Sequence, residues 1–105
     1  MGRGDVVIVS LPGDYGKPRP ALVIQSDVFE SDVSITVLPI TSHLVEAPLL
    51  RIAIGSEAGL ERPSQIQIDK AQTPRLARVG SVIGRADDTT MRSVNRALAI
   101  FLGLA

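Results

Sequence analysis

An arginine held between two prolines opens an unbroken apolar run in Lys17-Pro18-Arg19-Pro20-Ala21-Leu22-Val23-Ile24-Gln25-Ser26. Each proline fixes its own φ and drives the residue before it toward extended geometry, so Arg19 enters a strand with little backbone freedom. A guanidinium held in this way suits an anion, phosphate above all, which it meets with paired N–H donors. It equally suits a structural ion pair with Asp5 or Asp14. A second polar cluster, Thr41, Ser42 and His43, ends the run that starts at Ser34. If that run lies antiparallel beside the Arg19 strand, the end of one meets the start of the other. Arginine and two hydroxyls then share a rim, with Asp14 on the adjoining loop. Such a rim can hold a phosphodiester without metal, because the guanidinium neutralises charge growing on the phosphoryl oxygens while a hydroxyl donor fixes their orientation. The alternative is an edge strand satisfied by its own hydroxyls, with Arg19 paired to Asp14.

Other chemistries have too few residues. There is no cysteine, and His43 is the one histidine, so disulfides, thiol catalysis and a zinc site within one chain are not expected. Ser42 and His43 are neighbours in sequence, which is not the spatial relation a nucleophile and its base need, and no glycine elbow surrounds either residue. Residues 80–84 are too few and too apolar for a phosphate-cradling loop. Asp87 and Asp88 are explained by capping a helix rather than by a metal. Tyr15, Phe29 and Phe101 are the only aromatics, too few for a methyl-lysine cage or a base-stacking platform, and Tyr15 is the one expected at the surface. No metal or other cofactor is expected. No apolar run approaches the roughly 18 residues of a membrane span and the N-terminus is polar, so no membrane association and a cytoplasmic location are expected.

The elements that must position Arg19 and Thr41 follow from the pattern. At 105 residues the chain is expected to be a single domain over residues 1–105. Residues 5–11 are β-branched and bounded by Gly4 and Pro12-Gly13, so they read as a first strand, joined by a hairpin-length loop to the strand that starts at Arg19. Residues 25–33 read as an acidic loop. Residues 34–42 read as a third strand, which Pro39 places at an edge or at a bulge. Residues 49–54 and 63–69 read as further strands, the second alternating so that Gln65, Gln67 and Asp69 share one face. Thr73-Pro74-Arg75-Leu76 reads as one helical turn capped by threonine. Residues 79–85 form a short strand. A helix then starts at Asp87 and Asp88, with Met91, Val94, Leu98, Phe101 and Leu102 on one face. Short strands with one terminal helix give a mainly β protein, a small barrel or strongly curved sheet with the helix packed on it.

Net charge is zero, eleven cations against eleven acids. Their distribution is uneven, with Arg62, Lys70, Arg75, Arg78 and Arg85 against Asp69 alone over residues 62–85. A neutral chain can therefore own a basic face, although zero net charge argues against a general nucleic-acid coat protein. Most of the cations are arginine, which fits phosphate recognition but would also follow from a GC-rich genome.

The blocks Gly4-Asp5-Val6-Val7, Arg19-Pro20-Ala21-Leu22-Val23-Ile24, Leu38-Pro39-Ile40-Thr41-Ser42, Leu60 with Pro63-Ser64-Gln65, Asp69-Lys70-Ala71-Gln72-Thr73 and Val82-Ile83-Gly84-Arg85 resemble, in order, those of MazF/PemK toxins. The resemblance spans nearly the whole chain. It implies a Src-homology-3-like β-barrel of the CcdB/MazF type with a C-terminal helix, and a homodimer that binds single-stranded RNA. It also implies a cognate antitoxin that occupies the same groove. It implies a metal-independent, sequence-specific endoribonuclease that inhibits translation and growth, in which the RNA 2′-hydroxyl attacks its own phosphate to leave a 2′,3′-cyclic phosphate and a 5′-hydroxyl. The family's catalytic arginine and threonine fall on Arg19 and Thr41, and Asp14 stands where many relatives carry a glutamate. Arg19 would stabilise the phosphorane and Thr41 would orient the phosphate, with Asp14 and His43 as the titratable neighbours of the 2′-hydroxyl. Lys17, Ser42, His43, Tyr15, Gln65 and Lys70 are expected along the RNA path. The segment from Pro12 to Pro18 departs from the family, being short, lacking a Glu-Gln pair and placing Pro18 before the arginine. A gyrase poison of the CcdB type shares the barrel but is associated with a C-terminal Trp-Gly-Ile, and this chain has no tryptophan. A catalytically silent RNA-binding barrel is the other alternative.

Overall fold

Val6, Val7 and Val9 in one strand and Ala21, Leu22 and Val23 in the next are all buried, so neither run alternates with polar residues. Alternation instead sends successive side chains into two different cores. Val6, Leu22, Leu38, Ile40, Ile54 and Ile66 pack in one cluster, and Val7, Val9, Ala21, Val23 and Val37 pack in another on the opposite face. The computed structural model describes residues 1–13 and 16–105. Its strands are β1 (Asp5–Ser10), β2 (Pro18–Val23), β3 (Val37–Thr41), β4 (Arg51–Ile54), β5 (Ser64–Gln67) and β6 (Val79–Arg85), followed by helix α1 (Asp88–Phe101). They form one antiparallel sheet in the order β4-β5-β3-β2-β1-β6.

β3 is therefore central, not the edge strand that Pro39 suggests. The proline is tolerated because of where its nitrogen points, β2 and β5 lying on opposite sides of β3. Val37, Leu38 and Pro39 pair with β2, whereas Ile40 and Thr41 pair with Ile66 and Gln65 of β5. Val37 exchanges both backbone bonds with Gln72, at 2.8 and 3.0 Å, on the side away from β2. By alternation the Pro39 nitrogen also faces away from β2, at a position where β5 is not yet paired. No ladder donor is missed.

The two ends of the sheet meet through glycine. A 3-10 turn at Ser56–Ala58 follows β4 and lies against β6, with backbone approaching backbone. A Cβ on Gly59 would fall 2.1 Å from the Ile83 carbonyl oxygen, and one on Gly84 would fall 1.9 Å from that of Ala58. Gly59 also has φ of 91°, which L side chains rarely adopt. This contact curls the sheet into a barrel.

Helix α1 opens as expected. The Asp87 carboxylate accepts the Thr90 N–H at 2.7 Å, and that backbone hydrogen bond holds its pKa below the usual carboxylate value. Val94 and Ala97 enter the first core, with Met91 and Leu98 packed against it. Phe101 and Leu102, expected on the same face, are 49% and 59% exposed. Residues 73–76 also differ from the expected capped turn. The 3-10 turn is Leu76–Arg78, preceded by Arg75, and the Thr73 hydroxyl bonds that of Thr36 at 2.9 Å instead of capping. Pairing holds the segment extended before the turn, through bridges from Gln72 to Val37 and from Arg75 to Ser34. No helix is long and apolar enough to cross a membrane among the described residues.

Gly84→Ala should cost about 3 kcal/mol, the upper part of the ordinary range for one substitution, since backbone must move to admit the methyl group. Urea denaturation checks this, and a loss below about 1 kcal/mol would mean that the barrel closes without this contact.

Candidate active site

β1 fixes Arg19 and β5 fixes Thr41, and the paired run of β2 with β3 stops short of both. Arg19 pairs with Val9 of β1, and Thr41 pairs with Gln65 of β5. The β2–β3 ladder ends at Ala21↔Pro39, and carrying its register two residues further sets Thr41 across from Arg19. Prolines explain why the ladder stops. The Gly4 N–H donates to the Val23 carbonyl at 2.8 Å, so the odd residues of β2 turn their backbone groups toward β1. Pro18 and Pro20 then face the β3 side, where a continued ladder would need the N–H of Pro20 opposite Ile40. That donor does not exist. The result is a notch with a guanidinium on one lip and a hydroxyl on the other, both on the same face of the sheet.

Arg19 is exposed, and among the described residues no carboxylate lies within ion-pair distance of it. Asp5, one of its two expected structural partners, is taken by Arg85 at 2.9 Å. Asp14 and Tyr15, expected as catalytic and substrate-contacting residues, lie outside the described residues. Lys17 is exposed two residues before Arg19, at the entrance of β2. Thr41 is half-buried, and its Oγ1 accepts the His43 N–H at 3.1 Å, which leaves the hydroxyl proton available for donation. Ser42 and His43 are exposed directly after it.

Gln65 is half-buried and its amide makes three hydrogen bonds. Its Oε1 accepts from the Val45 N–H at 3.2 Å and from Arg51 Nη1 at 2.9 Å, while its Nε2 donates to the Val45 carbonyl at 3.0 Å. Lys70 is not brought to the notch. It lies on the turn after β5, toward the first residues of β3, with its ammonium 3.7 Å from Asp69. The expected basic face is partly neutralised, since Arg85 and Lys70 both have carboxylate partners. Arg51 was not expected. Its Nη1 donates to the His43 carbonyl at 3.2 Å as well as to Gln65. Alternation offered a faint signal, because an arginine opening a strand beside Gln65 and Gln67 shares their face.

Beyond Gln65 the same face opens into a pocket of about 430 Å³, lined by Leu44, Ala53, Glu61, Arg62 and Pro63 among others. Among the described residues no three of His, Cys, Asp or Glu gather as a metal-binding group. The arrangement can hold an anion between a cation and a hydroxyl donor, next to a recess with apolar and charged walls.

Known proteins share this architecture. The family model described as PemK-like, MazF-like toxin of type II toxin-antitoxin system matches residues 2–102. The chain is 43% identical over 108 residues to a protein of Mycolicibacterium smegmatis named "Probable endoribonuclease MazF", covering 100% of this chain and 99% of that protein. Among solved structures, Mycobacterium tuberculosis toxin MazF-mt6 superposes with a TM-score of 0.84 at 23% identity, over 96% of this chain and 98% of that one. A mycobacterial endoribonuclease in complex with its cognate antitoxin gives a TM-score of 0.84 at 22% identity, over 100% and 97% of the two chains.

Arg19→Ala should leave stability within about 0.5 kcal/mol, as expected for a surface cation without an ion-pair partner among the described residues. A loss above about 2 kcal/mol in urea denaturation would assign Arg19 to a structural ion pair instead.

Proposed function

Since the chain belongs to the PemK-like, MazF-like toxins of type II toxin-antitoxin systems, we propose that it is an endoribonuclease that cuts single-stranded RNA at a phosphate held between Arg19 and Thr41. The notch carries this reading, because the β2–β3 register sets a guanidinium and a free hydroxyl proton across from one another on an open surface. The RNA 2′-oxygen attacks the adjacent phosphorus and loses its proton to a neighbouring base, for which Asp14 and His43 are the titratable candidates. The bond from phosphorus to the 5′-oxygen breaks, and that oxygen takes up a proton. The products are a 2′,3′-cyclic phosphate and a 5′-hydroxyl, and no metal is required. A guanidinium is a donor-only cation, so the part of Arg19 is to neutralise the phosphorane and not to accept the proton. Thr41 donates to a phosphoryl oxygen and fixes its orientation.

The whole chain, residues 1–105, acts as one toxin domain in the cytoplasm. Lys17 and Ser42 flank the phosphate along the RNA path, while Gln65 holds the segment after Thr41 and Lys70 stands apart. A cognate antitoxin blocks the notch, in keeping with the antitoxin-bound mycobacterial relative of the same fold. The chain forms a homodimer, which would cover apolar side chains that it leaves open by itself, Val82 on the edge strand β6 and Phe101, Leu102 and Leu104 at the end of α1.

Incubating the purified chain with a long unstructured RNA in excess EDTA tests the reading. Discrete cuts with 5′-hydroxyl ends are expected, with the single-turnover rate lowered about 10²–10³-fold in both Arg19→Ala and Thr41→Ala. Cleavage undiminished in both variants would move the chemistry away from the notch, and DNA gyrase inhibition without RNA cleavage would replace the reading altogether.

A further inference from the structure

We infer that Arg51 is a positioning residue for RNA cleavage, acting through the segment that aims the Thr41 hydroxyl. The inference rests on the endoribonuclease reading above. Thr41 is the last residue of β3, and its hydroxyl is oriented by one bond, the His43 N–H that Oγ1 accepts at 3.1 Å. With that lone pair occupied by the His43 N–H, the hydroxyl proton is left for another acceptor. The aim of Thr41 is thus only as firm as the position of His43.

His43 lies in a stretch without regular secondary structure that runs to the start of β4. Residues 43–45 are exposed and bury little that would fix them. Side chains from β4 and β5 hold them instead. Arg51 Nη1 holds the His43 carbonyl at 3.2 Å, so the residue that bonds Thr41 through its N–H is gripped by its C=O. The same nitrogen holds Gln65 Oε1 at 2.9 Å, and Gln65 bonds both backbone groups of Val45 as a strand would. Gln65 is also the β5 partner of Thr41. The four contacts form a closed circuit from Thr41 to His43, Arg51, Gln65 and back across the ladder. A planar guanidinium can serve two acceptors at a fixed angle, which a lysine ammonium on its flexible stem does not reproduce. Arg51 pairs with Gln67, two residues along β5 from the Gln65 that pairs with Thr41, so the two lie on the same face of the sheet.

Single-turnover cleavage and RNA binding by Arg51→Met, Arg51→Lys, Thr41→Val and the Thr41→Val/Arg51→Met double variant test this, together with amide exchange at His43 and Val45. Arg51→Met is expected to slow cleavage about 10- to 100-fold with RNA affinity unchanged, as a misaimed group does. Exchange at both amides should rise about tenfold or more, and Arg51→Lys should fold and bind RNA as the wild type does without recovering the full rate. In the Thr41→Val background the same substitution should cost less than about threefold, because the hydroxyl it aims is already gone. Weaker RNA binding with an unchanged rate would make Arg51 a direct RNA contact and overturn the inference. So would an equal loss with and without the Thr41 hydroxyl, or an unchanged rate in Arg51→Met. If Arg51→Met does not fold, Arg51→Lys decides, a wild-type rate with wild-type exchange refuting the inference. A wild-type chain that cuts no RNA refutes the endoribonuclease reading itself, and this inference with it.

Discussion

Two missing backbone donors shape this protein's functional surface. Pro18 and Pro20 turn their nitrogens toward β3, and a proline nitrogen carries no hydrogen to give. The β2–β3 ladder therefore parts after Ala21↔Pro39, while on its other side β3 pairs with β5 at Ile40 and Thr41. Arg19 and Thr41 stand beyond the last β2–β3 pair, Arg19 held by β1 and Thr41 by β5. A site built on strands in this way is more firmly placed than one built on loops, although it stays open to solvent.

Everything else in the fold serves that parting. The β1–β2 ladder holds Arg19 extended from Val6↔Leu22 down to Ser10↔Pro18. The approach at Gly59 and Gly84 closes the barrel on the far side, so that β4 and β5 have a fixed position to which the end of β3 can bond. The two cores lock the strands from both faces, and α1 covers one of them. Phosphoryl transfer within RNA needs the attacking oxygen, the phosphate and the charge that stabilises it to be held in line, and the nucleophile is already part of the substrate. An exposed guanidinium across from a hydroxyl answers that need with few residues, which suits a chain of this size.

The sequence was informative where covalent constraint or periodicity carried the message. Arg19 between two prolines, the Asp87 cap and the apolar face through Val94 and Leu98 were legible because proline geometry, capping and helical spacing are local. The place of β3 was not, because Pro39 has the same local signature at an edge as in a central strand, and only the register distinguishes them. Phe101 and Leu102 followed the helical period beyond the end of the surface that it packs on. Arg51 was missed because its partners, Gln65 and the His43 carbonyl, come together only through the pairing of β4 with β5. Strand order alone already paired Arg19 with Thr41 and Ser42, the family resemblance added their roles, and the β2–β3 register is in keeping with that pairing although it stops two residues short of it.

The most direct test of the notch's chemistry is to replace one ribose, at the nucleotide just 5′ of a mapped cut, by 2′-deoxyribose in an otherwise unchanged RNA. If Arg19 and Thr41 stabilise attack by the neighbouring 2′-hydroxyl, the substituted RNA should bind as before and remain uncut at that site. Cleavage at the deoxy position would mean that water attacks the phosphate directly, which contradicts a mechanism in which the substrate supplies its own nucleophile.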